Sequence, residues 1–243
     1  AAQGHAGAQY SLGLAYDAGH GVTRDVDRAI ELYTQAAAQG YAYAYNNLGN
    51  LLLDERQDVD GAEKAYRAAI EADPGYANAH YNLGYLLENE RKDVDGAEKA
   101  YRAATEADPG FAIAQYRLGL LLLEVERKDM AGAERCYRKA VKIDPTYVTA
   151  HLNLGYLLMT THTDIDGAEQ CYRKVIKIDP SCAEAHFNLG ILLKNAREDV
   201  DGADQCYRKA IEIDREMVLS ELRVANMIAQ TMACKLVDEY DNE

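Results

Sequence analysis

Three histidines and three cysteines recur at fixed positions in this 243-residue chain, and both kinds of side chain can do chemistry. The histidines each stand four residues before the glycine of a Leu-Gly pair, and they are His80, His151 and His186. The cysteines each precede a tyrosine, and they are Cys136, Cys171 and Cys206. Imidazoles and thiolates that converge bind metal ions or act as bases and nucleophiles. Their chemistry therefore depends on whether the fold brings them together.

The spacing of these residues argues against convergence. The three histidines lie in three different copies of a repeated unit, and so do the three cysteines. Equivalent positions in stacked units are about 10 Å apart. That separation is too large for a disulfide bond or a shared metal ion. The sequence therefore predicts packing imidazoles and free thiols. It predicts no catalytic residues, no metal site, no cofactor and no enzyme activity.

Composition limits the compartment and the class of partner. The 26 Lys and Arg residues against 40 Asp and Glu give a formal net charge of -14, which repels nucleic acid and anionic lipid. No apolar run of about 18 residues is present, which predicts no membrane insertion. The five cysteines include no CxxC pair, and no N-x-Ser/Thr site occurs. A reducing compartment, the cytoplasm or the nucleus, fits this usage.

An internal repeat positions all of these residues. The segment DVDGAEKAYRAA occurs at 58–69 and again, unchanged, at 93–104. The Leu-Gly glycines recur every 35 or 36 residues, at Gly13, Gly49, Gly84, Gly119, Gly155 and Gly190. A period of this length indicates an array of small helical units, each of which needs its neighbours to bury its apolar faces.

The residue pattern of each unit predicts two helices, which we call helix A and helix B. Helix A of the third unit covers 77–88, with Gly84 on a small and apolar face that allows close helix packing. Helix B carries one stripe at helical spacing, namely Ala97, Tyr101, Ala104 and Thr105. Asp93 or Asp95 can cap helix B, and Pro109 ends it. The repetition of Tyr66 and Tyr101 predicts that these rings pack in the core.

The repeating pattern resembles the tetratricopeptide repeat family. The matching residues of the third unit are His80, Leu83, Gly84, Ala97, Tyr101, Ala104 and Pro109. Most units depart from the family pattern by one extra residue between the two helices. The first unit, with its Gly19-His20-Gly21 loop and its Ala-Ala-Gln-Gly ending, instead resembles a Sel-one-like repeat.

The resemblance implies an all-α, right-handed α-solenoid of about six helix-turn-helix repeats with a C-terminal capping helix. Its expected divisions are the tail of a preceding repeat at 1–6, a Sel-one-like repeat at 7–41, tetratricopeptide repeats at 42–76, 77–111, 112–147, 148–182 and 183–217, and a capping helix with an acidic tail at 218–243.

The resemblance also implies a function, because the family binds protein segments along a concave groove lined by helices A. Helix A positions two, five and nine line that groove in the family. The corresponding candidates are Tyr43, Asn46, Asn50, Asn78, Tyr81, Tyr85, Ile113, Tyr116, Leu120, Leu152, Tyr156, Phe187 and Ile191. The expected partner is a protein or peptide, bound as a helix or an extended strand.

Two other functions remain open from the sequence. The array could be a regulatory or assembly module of a larger protein or complex, packed as a structural component. It could also be a co-chaperone clamp for a terminal carboxylate, because Asn50, Asn82 and Arg117 match that group of the family. Asn46 and Ile113 stand where the clamp needs lysines, so two of its cations are missing.

Overall fold

The computed structural model describes residues 5–124, 128–161 and 164–221. All regular secondary structure in these ranges is helical. Contacts divide the chain into two compact units, Ala1–Ile143 and Asp144–Glu243. The predicted all-α class and the repeated helical hairpins are confirmed.

The first unit contains four hairpins, each made of one helix A and one helix B. Its helices are α1 (Ala6–Ala18), α2 (Val26–Ala37), α3 (Ala42–Arg56), α4 (Val59–Ala72), α5 (Ala77–Leu86), α6 (Val94–Ala107), α7 (Ala112–Leu122) and α8 (Met130–Ile143). A π-helical turn at Leu87–Arg91 extends α5. Helices α2, α4 and α6 also pack against helix A of the next hairpin, so that the four hairpins of this unit form a stack.

The second unit continues the pattern with two hairpins. Its helices are α9 (Val148–Thr160), α10 (Ile165–Ile178), α11 (Ala183–Ala196) and α12 (Val200–Ile213). Residues 215–221 are again helical, and Val218 packs with Phe187 and Ala210. The predicted capping helix begins there, but the rest of it and the acidic tail lie outside the described residues.

The helix B tyrosine packs onto the helix A glycine in every hairpin. The pairs are Gly13–Tyr33, Gly49–Tyr66, Gly84–Tyr101, Gly119–Tyr137, Gly155–Tyr172 and Gly190–Tyr207. A Cβ added at any of these glycines would lie only 2.6–2.9 Å from ring atoms of its tyrosine. Tyr66 and Tyr101 are 2% and 0% exposed, as the repeat predicted. The repeated letters therefore encode a packing unit, in which Gly gives the ring its space.

The DxDG segment that opens most helices B has a capping role. The first aspartate accepts a hydrogen bond from the backbone N–H three residues later, as Asp93 does from Gly96 at 2.9 Å. The same cap occurs at Asp25, Asp58, Asp129, Asp164 and Asp199. Glycine at residue 96 leaves space for the Asp93 carboxylate, although Arg28 accommodates the same cap in the first hairpin. Of the two predicted candidates, Asp93 is therefore the cap.

The second aspartate of the segment joins neighbouring hairpins. Asp60 pairs with Arg91 of the next hairpin, and Arg91 also contacts Glu63 at 3.0 Å. Equivalent pairs are Asp27–Arg56 and Asp166–Arg197. The Arg91 guanidinium lowers the pKa of Asp60 through a hydrogen bond and its charge. These pairs are exposed, so solvent and salt screen them.

The two aspartates of α4 should differ in their contribution to stability. We expect Asp58→Ala to lower the free energy of unfolding by about 0.5 to 2 kcal/mol, because it removes the cap. Asp60→Ala should have a smaller effect that disappears as salt is added. Urea titrations at low and high salt measure both variants. A larger loss for Asp60→Ala than for Asp58→Ala at high salt would contradict the assignment.

Candidate functional site

The recurring histidines connect helix A to the turn before it. The imidazole Nε2 lies 2.9 Å from the Pro74 carbonyl oxygen for His80. The equivalent distances are 3.2 Å from His151 to Pro145 and 3.1 Å from His186 to Pro180. A carbonyl only accepts hydrogen bonds, so Nε2 carries the proton in each case. The histidines are thus turn-binding groups in separate hairpins, and they do not form a shared site.

His151 is the most enclosed of the three, with 9% of its surface exposed. Its Nε2 donates to Pro145, while its Nδ1 is buried without a hydrogen-bond partner among the described residues. Burial lowers the pKa of His151, and the nearby Lys174 lowers it further. The Pro145 carbonyl and Asp144 oppose this shift without cancelling it. The folded protein therefore favours the neutral imidazole.

This preference makes stability depend on pH. Because the pKa of His151 is lower in the folded state, its contribution is present above the ordinary value of about 6.5 and is lost as pH falls below it. We expect His151→Gln to flatten the decrease in stability between about pH 6.5 and pH 5. Glutamine fits, since Gln115 occupies the same position in α7. Denaturant titrations across this range that give equal slopes for both proteins would contradict the prediction.

The described cysteines, Cys136, Cys171, Cys182 and Cys206, form no disulfide bond with one another. Burial raises the pKa of the Cys136 thiol, and the same cause raises it at Cys182 and Cys206. Cys234 lies outside the described residues. Within the part of the chain that the structure describes, no cluster of His, Cys, Asp and Glu side chains could hold a metal ion. No helix in that part is long and apolar enough to cross a membrane.

The candidate groove residues on the helix A face separate by burial. Five are exposed: Tyr43, Asn78, Tyr85, Ile113 and Tyr156. Five are half-buried: Asn50, Tyr81, Tyr116, Leu120 and Ile191. Three are buried: Asn46, Leu152 and Phe187. Positions two and nine of helix A therefore supply the accessible large side chains, and position five turns toward the stack.

Ring contacts explain why position five is covered. Its aromatic ring lies 5.8 Å from the helix B tyrosine in four hairpins. The pairs are Tyr10–Tyr33, Tyr81–Tyr101, Tyr116–Tyr137 and Phe187–Tyr207. Tyr81 also contacts Phe111 at 5.4 Å. Such tilted aromatic pairs add stability beyond their area. The rings of Tyr81 and Tyr116 thus belong partly to the core.

Arg117 is the cation of the helix A face in the third and fourth hairpins. Its guanidinium lies 5.1 Å from the centre of the Tyr85 ring and stands near the Tyr81 hydroxyl. Glu88 stands nearby and accepts a hydrogen bond from Tyr101 at 2.5 Å. The cluster combines an exposed aromatic ring, a half-buried cation and a carboxylate. The contact with the Tyr85 ring holds the Arg117 side chain in place before a partner binds.

An asparagine network occupies the same face in the second and third hairpins. The Asn82 amide donates to Asn46 at 2.9 Å and to Asn50 at 3.1 Å. Tyr66 donates its hydroxyl proton to Asn50 at 2.8 Å. The amides that matched a carboxylate clamp are therefore engaged with one another. Two lysines of the clamp are also missing. Of the three residues that match the clamp, Arg117 is the one outside this amide network, and it contacts the Tyr85 ring.

A row of tyrosines at the N-terminal end of the unit joins the predicted groove residue Tyr43 to three tyrosines that were not predicted as site residues. Tyr10, Tyr41, Tyr43 and Tyr76 contact one another in sequence, at 5.1, 5.5 and 4.6 Å. Burial raises the pKa of Tyr76 to about 12. Tyr41 and Tyr76 precede helices A, where the repeat pattern marks no groove position. Only the density of tyrosine in GYAYAY, residues 40–45, could have signalled this row.

Family models match most of the chain. A tetratricopeptide repeat model matches residues 51–110, a TPR repeat model matches 122–161 and 164–196, and a further tetratricopeptide repeat model matches 183–217. A Sel1 repeat model matches residues 6–41. No curated protein matches the chain.

Solved structures with the same fold cover most of the chain. YrrB, described as a TPR protein with an unusual peptide-binding site, is 24% identical over 81% of this chain and 99% of its own, with a TM-score of 0.66. A Sel1 repeat protein from Oxalobacter formigenes is 27% identical over 86% of each chain, with a TM-score of 0.61. The pilF protein of Pseudomonas aeruginosa is 20% identical over 90% and 97%, with a TM-score of 0.70.

Proposed function

Because the chain belongs to the tetratricopeptide repeat family, with a Sel1 repeat as its first unit, we propose that it binds a protein segment on its helix A face. Proteins built from these repeats are generally scaffolds for protein interactions and do not catalyse reactions. The proposed binding surface of the first unit consists of Tyr43, Asn78, Tyr85, Ile113 and Arg117. Tyr156 is the proposed anchor of the second unit.

The observation that carries the proposal is the exposure of large apolar side chains on helix A. Tyr43, Tyr85 and Ile113 are 44%, 38% and 37% exposed in the first unit, and Tyr156 is 57% exposed in the second. They occupy positions whose residue type varies between hairpins, whereas the packing tyrosines do not vary. Exposed apolar side chains on one surface are typical of a protein interface. Tyrosine is a favoured anchor because it buries a large area with few rotatable bonds.

Arg117 adds a polar requirement to this surface. Its guanidinium already contacts the Tyr85 ring, so the Arg117 side chain loses little conformational entropy when a partner binds. The partner segment that fits carries apolar side chains for the tyrosines and a carboxylate or carbonyl for Arg117. YrrB is described as having a peptide-binding site, which is consistent with a peptide ligand on this fold.

Partner capture by alanine variants tests the proposal. The partner is first identified by affinity purification of the full-length protein and mass spectrometry. Tyr85→Ala and Tyr156→Ala should each weaken its binding by about 1 kcal/mol or more, with little effect on thermal melting. Met130→Ala, which removes a 50%-exposed side chain at the start of helix B, is the control. Unchanged affinity in both tyrosine variants would contradict the groove and favour a module packed as a structural component.

A further inference from the structure

A cavity of about 600 Å³ opens on the outer face of the first unit, the side formed by helices B. It lies between α6 and α8, and α7 contributes Gln115 and Leu118 to its lining. Sites for small molecules have volumes of this order and combine apolar walls with a few polar groups. The cavity is separate from the helix A surface proposed above.

The cavity is cationic although the chain as a whole is acidic. Its charged lining residues are Arg102, Arg135, Lys139, Lys142, Glu106 and Asp129. Arg102 pairs with Glu98 at 2.7 Å, and the Asp129 carboxylate accepts the Gly132 N–H at 2.8 Å. Within the described residues, the other three cations have no ion-pair partner. Because the lining holds four cations against the two carboxylates Glu106 and Asp129, the cavity has an excess of positive charge, and this excess creates a local field that attracts anions.

Gln115 gives the cavity a neutral polar group. Its residue is 5% exposed, and it lines the cavity beside Leu118. In the equivalent position, His80, His151 and His186 bind the proline carbonyl of the preceding turn. Gln115 makes no such bond to Pro109, which also lines the cavity.

The neighbouring hairpin shows what the cavity looks like without these features. A cavity of about 490 Å³ occupies the equivalent place between α4 and α6. There His80 replaces Gln115, Ala103 replaces Lys139 and Ala100 replaces Cys136. Its cations and carboxylates balance in number, and its histidine is satisfied by Pro74. The same backbone therefore carries a neutral cavity in one hairpin and a cationic one in the next.

We propose that the cavity between α6 and α8 binds a small polyanion, either a polyphosphate or a polycarboxylate. Arg135, Lys139 and Lys142 bind its charged groups through charge-assisted hydrogen bonds. Gln115 donates its amide N–H, or accepts through its amide oxygen, at the polar edge of the ligand. The chain therefore has a small-molecule site on its outer face in addition to the protein-binding surface on helix A.

Isothermal titration calorimetry of the full chain with pyrophosphate and with citrate tests this site. We expect saturable binding of at least one probe, with one ligand per chain and with an affinity that falls as salt is added. Binding of pyrophosphate alone would identify a polyphosphate site, and binding of citrate alone would identify a polycarboxylate site. Absence of saturable binding by either probe would overturn the proposal.

Variants copied from the neighbouring hairpin connect binding to this cavity. Lys139→Ala and Gln115→His should each weaken binding about tenfold or more, because the first removes a charge and the second removes the amide from the cavity lining. Both substitutions place residues that the third hairpin already accommodates at these positions, so the fold should be retained. Lys64→Ala, which removes the same charge from α4 outside the cavity, should leave the affinity unchanged. Equal affinity of wild type, Lys139→Ala and Gln115→His would also overturn the proposal.

Discussion

Tyr101→Ala is expected to lower the free energy of unfolding by about 3 to 5 kcal/mol, because it removes a fully buried ring. Tyr101 is 0% exposed, and its ring fills the space above Gly84. The substitution also leaves the Glu88 carboxylate without the hydroxyl that donates to it at 2.5 Å. Urea titration monitored by helical circular dichroism measures the change. A midpoint equal to that of the wild type would contradict the packing role.

Two phenylalanine variants separate the ring from the hydroxyl. Tyr101→Phe keeps the ring and loses a hydrogen bond to a carboxylate, which costs about 1.5 to 3 kcal/mol. Tyr172 occupies the same position in the fifth hairpin, but its hydroxyl is buried without a partner among the described residues. Tyr172→Phe should therefore be neutral or stabilising. A larger loss for Tyr172→Phe than for Tyr101→Phe would contradict this account of the two hydroxyls.

Gly84→Ala is expected to lower the free energy of unfolding by about 1 to 3 kcal/mol, although alanine favours helices more than glycine does. The added methyl group would lie 2.8 Å from two Tyr101 ring atoms, and the enclosed ring has no room to move. Gly7→Ala is the control, because Gly7 is also helical and its nearest neighbour is a His5 side-chain atom at 3.5 Å. That variant should be neutral or stabilised by up to about 1 kcal/mol. Thermal and urea unfolding compare them.

The double variant tests whether the glycine and the ring act as one unit. Once Tyr101→Ala has removed the ring, Gly84→Ala no longer produces an overlap. The free-energy loss of the double variant should therefore be smaller than the sum of the single losses, by at least about 0.5 kcal/mol. Additive losses would show that the methyl group at residue 84 is accommodated elsewhere, and the proposed reason for the Leu-Gly glycine would be wrong.

The period of the sequence was sufficient to predict the core. Gly84 and Tyr101 recur at every equivalent place, and a residue type that does not vary between units is set by a contact that every unit makes. Of the predicted helix B stripe, Ala97, Tyr101 and Ala104 are fully buried, whereas Thr105 at its edge is half-buried. Periodicity gave the face of each helix correctly, because side chains in a helix point in directions fixed by their position.

Residues at the edge of a stripe could not be placed in the same way. Tyr81 and Tyr85 lie one turn apart on helix A, yet the Tyr81 ring packs against Tyr101 whereas Tyr85 is exposed. Their burial depends on the tilt between helices, which the sequence does not give directly. The sequence also does not give the backbone conformation of the residue before the cap. This residue is left-handed at Gln57, Lys92, Lys128 and Glu198, and it turns the chain into the cap.

The outer cavity depends on a difference between units that the repeat pattern hides. Gln115 stands at a position where three other hairpins have a histidine. The sequence alone does not show that such a histidine binds a proline carbonyl, as His80 does. Lys139 and Lys142 resemble an ordinary solvated helix face in the sequence. Only the structure places them around the same concave surface as Gln115.

Site-specific photocrosslinking most directly tests the central claim, that helix B positions hold the stack while helix A positions bind a protein segment. The photoreactive residue p-benzoylphenylalanine is placed at Tyr43, Tyr85 or Tyr156, and at Lys64 on helix B as the control, in the full-length protein in its native cells. We expect the helix A positions to crosslink to a common partner and Lys64 to give no crosslink to it. Crosslinks to that partner from Lys64 alone, or from none of the helix A positions, would contradict it.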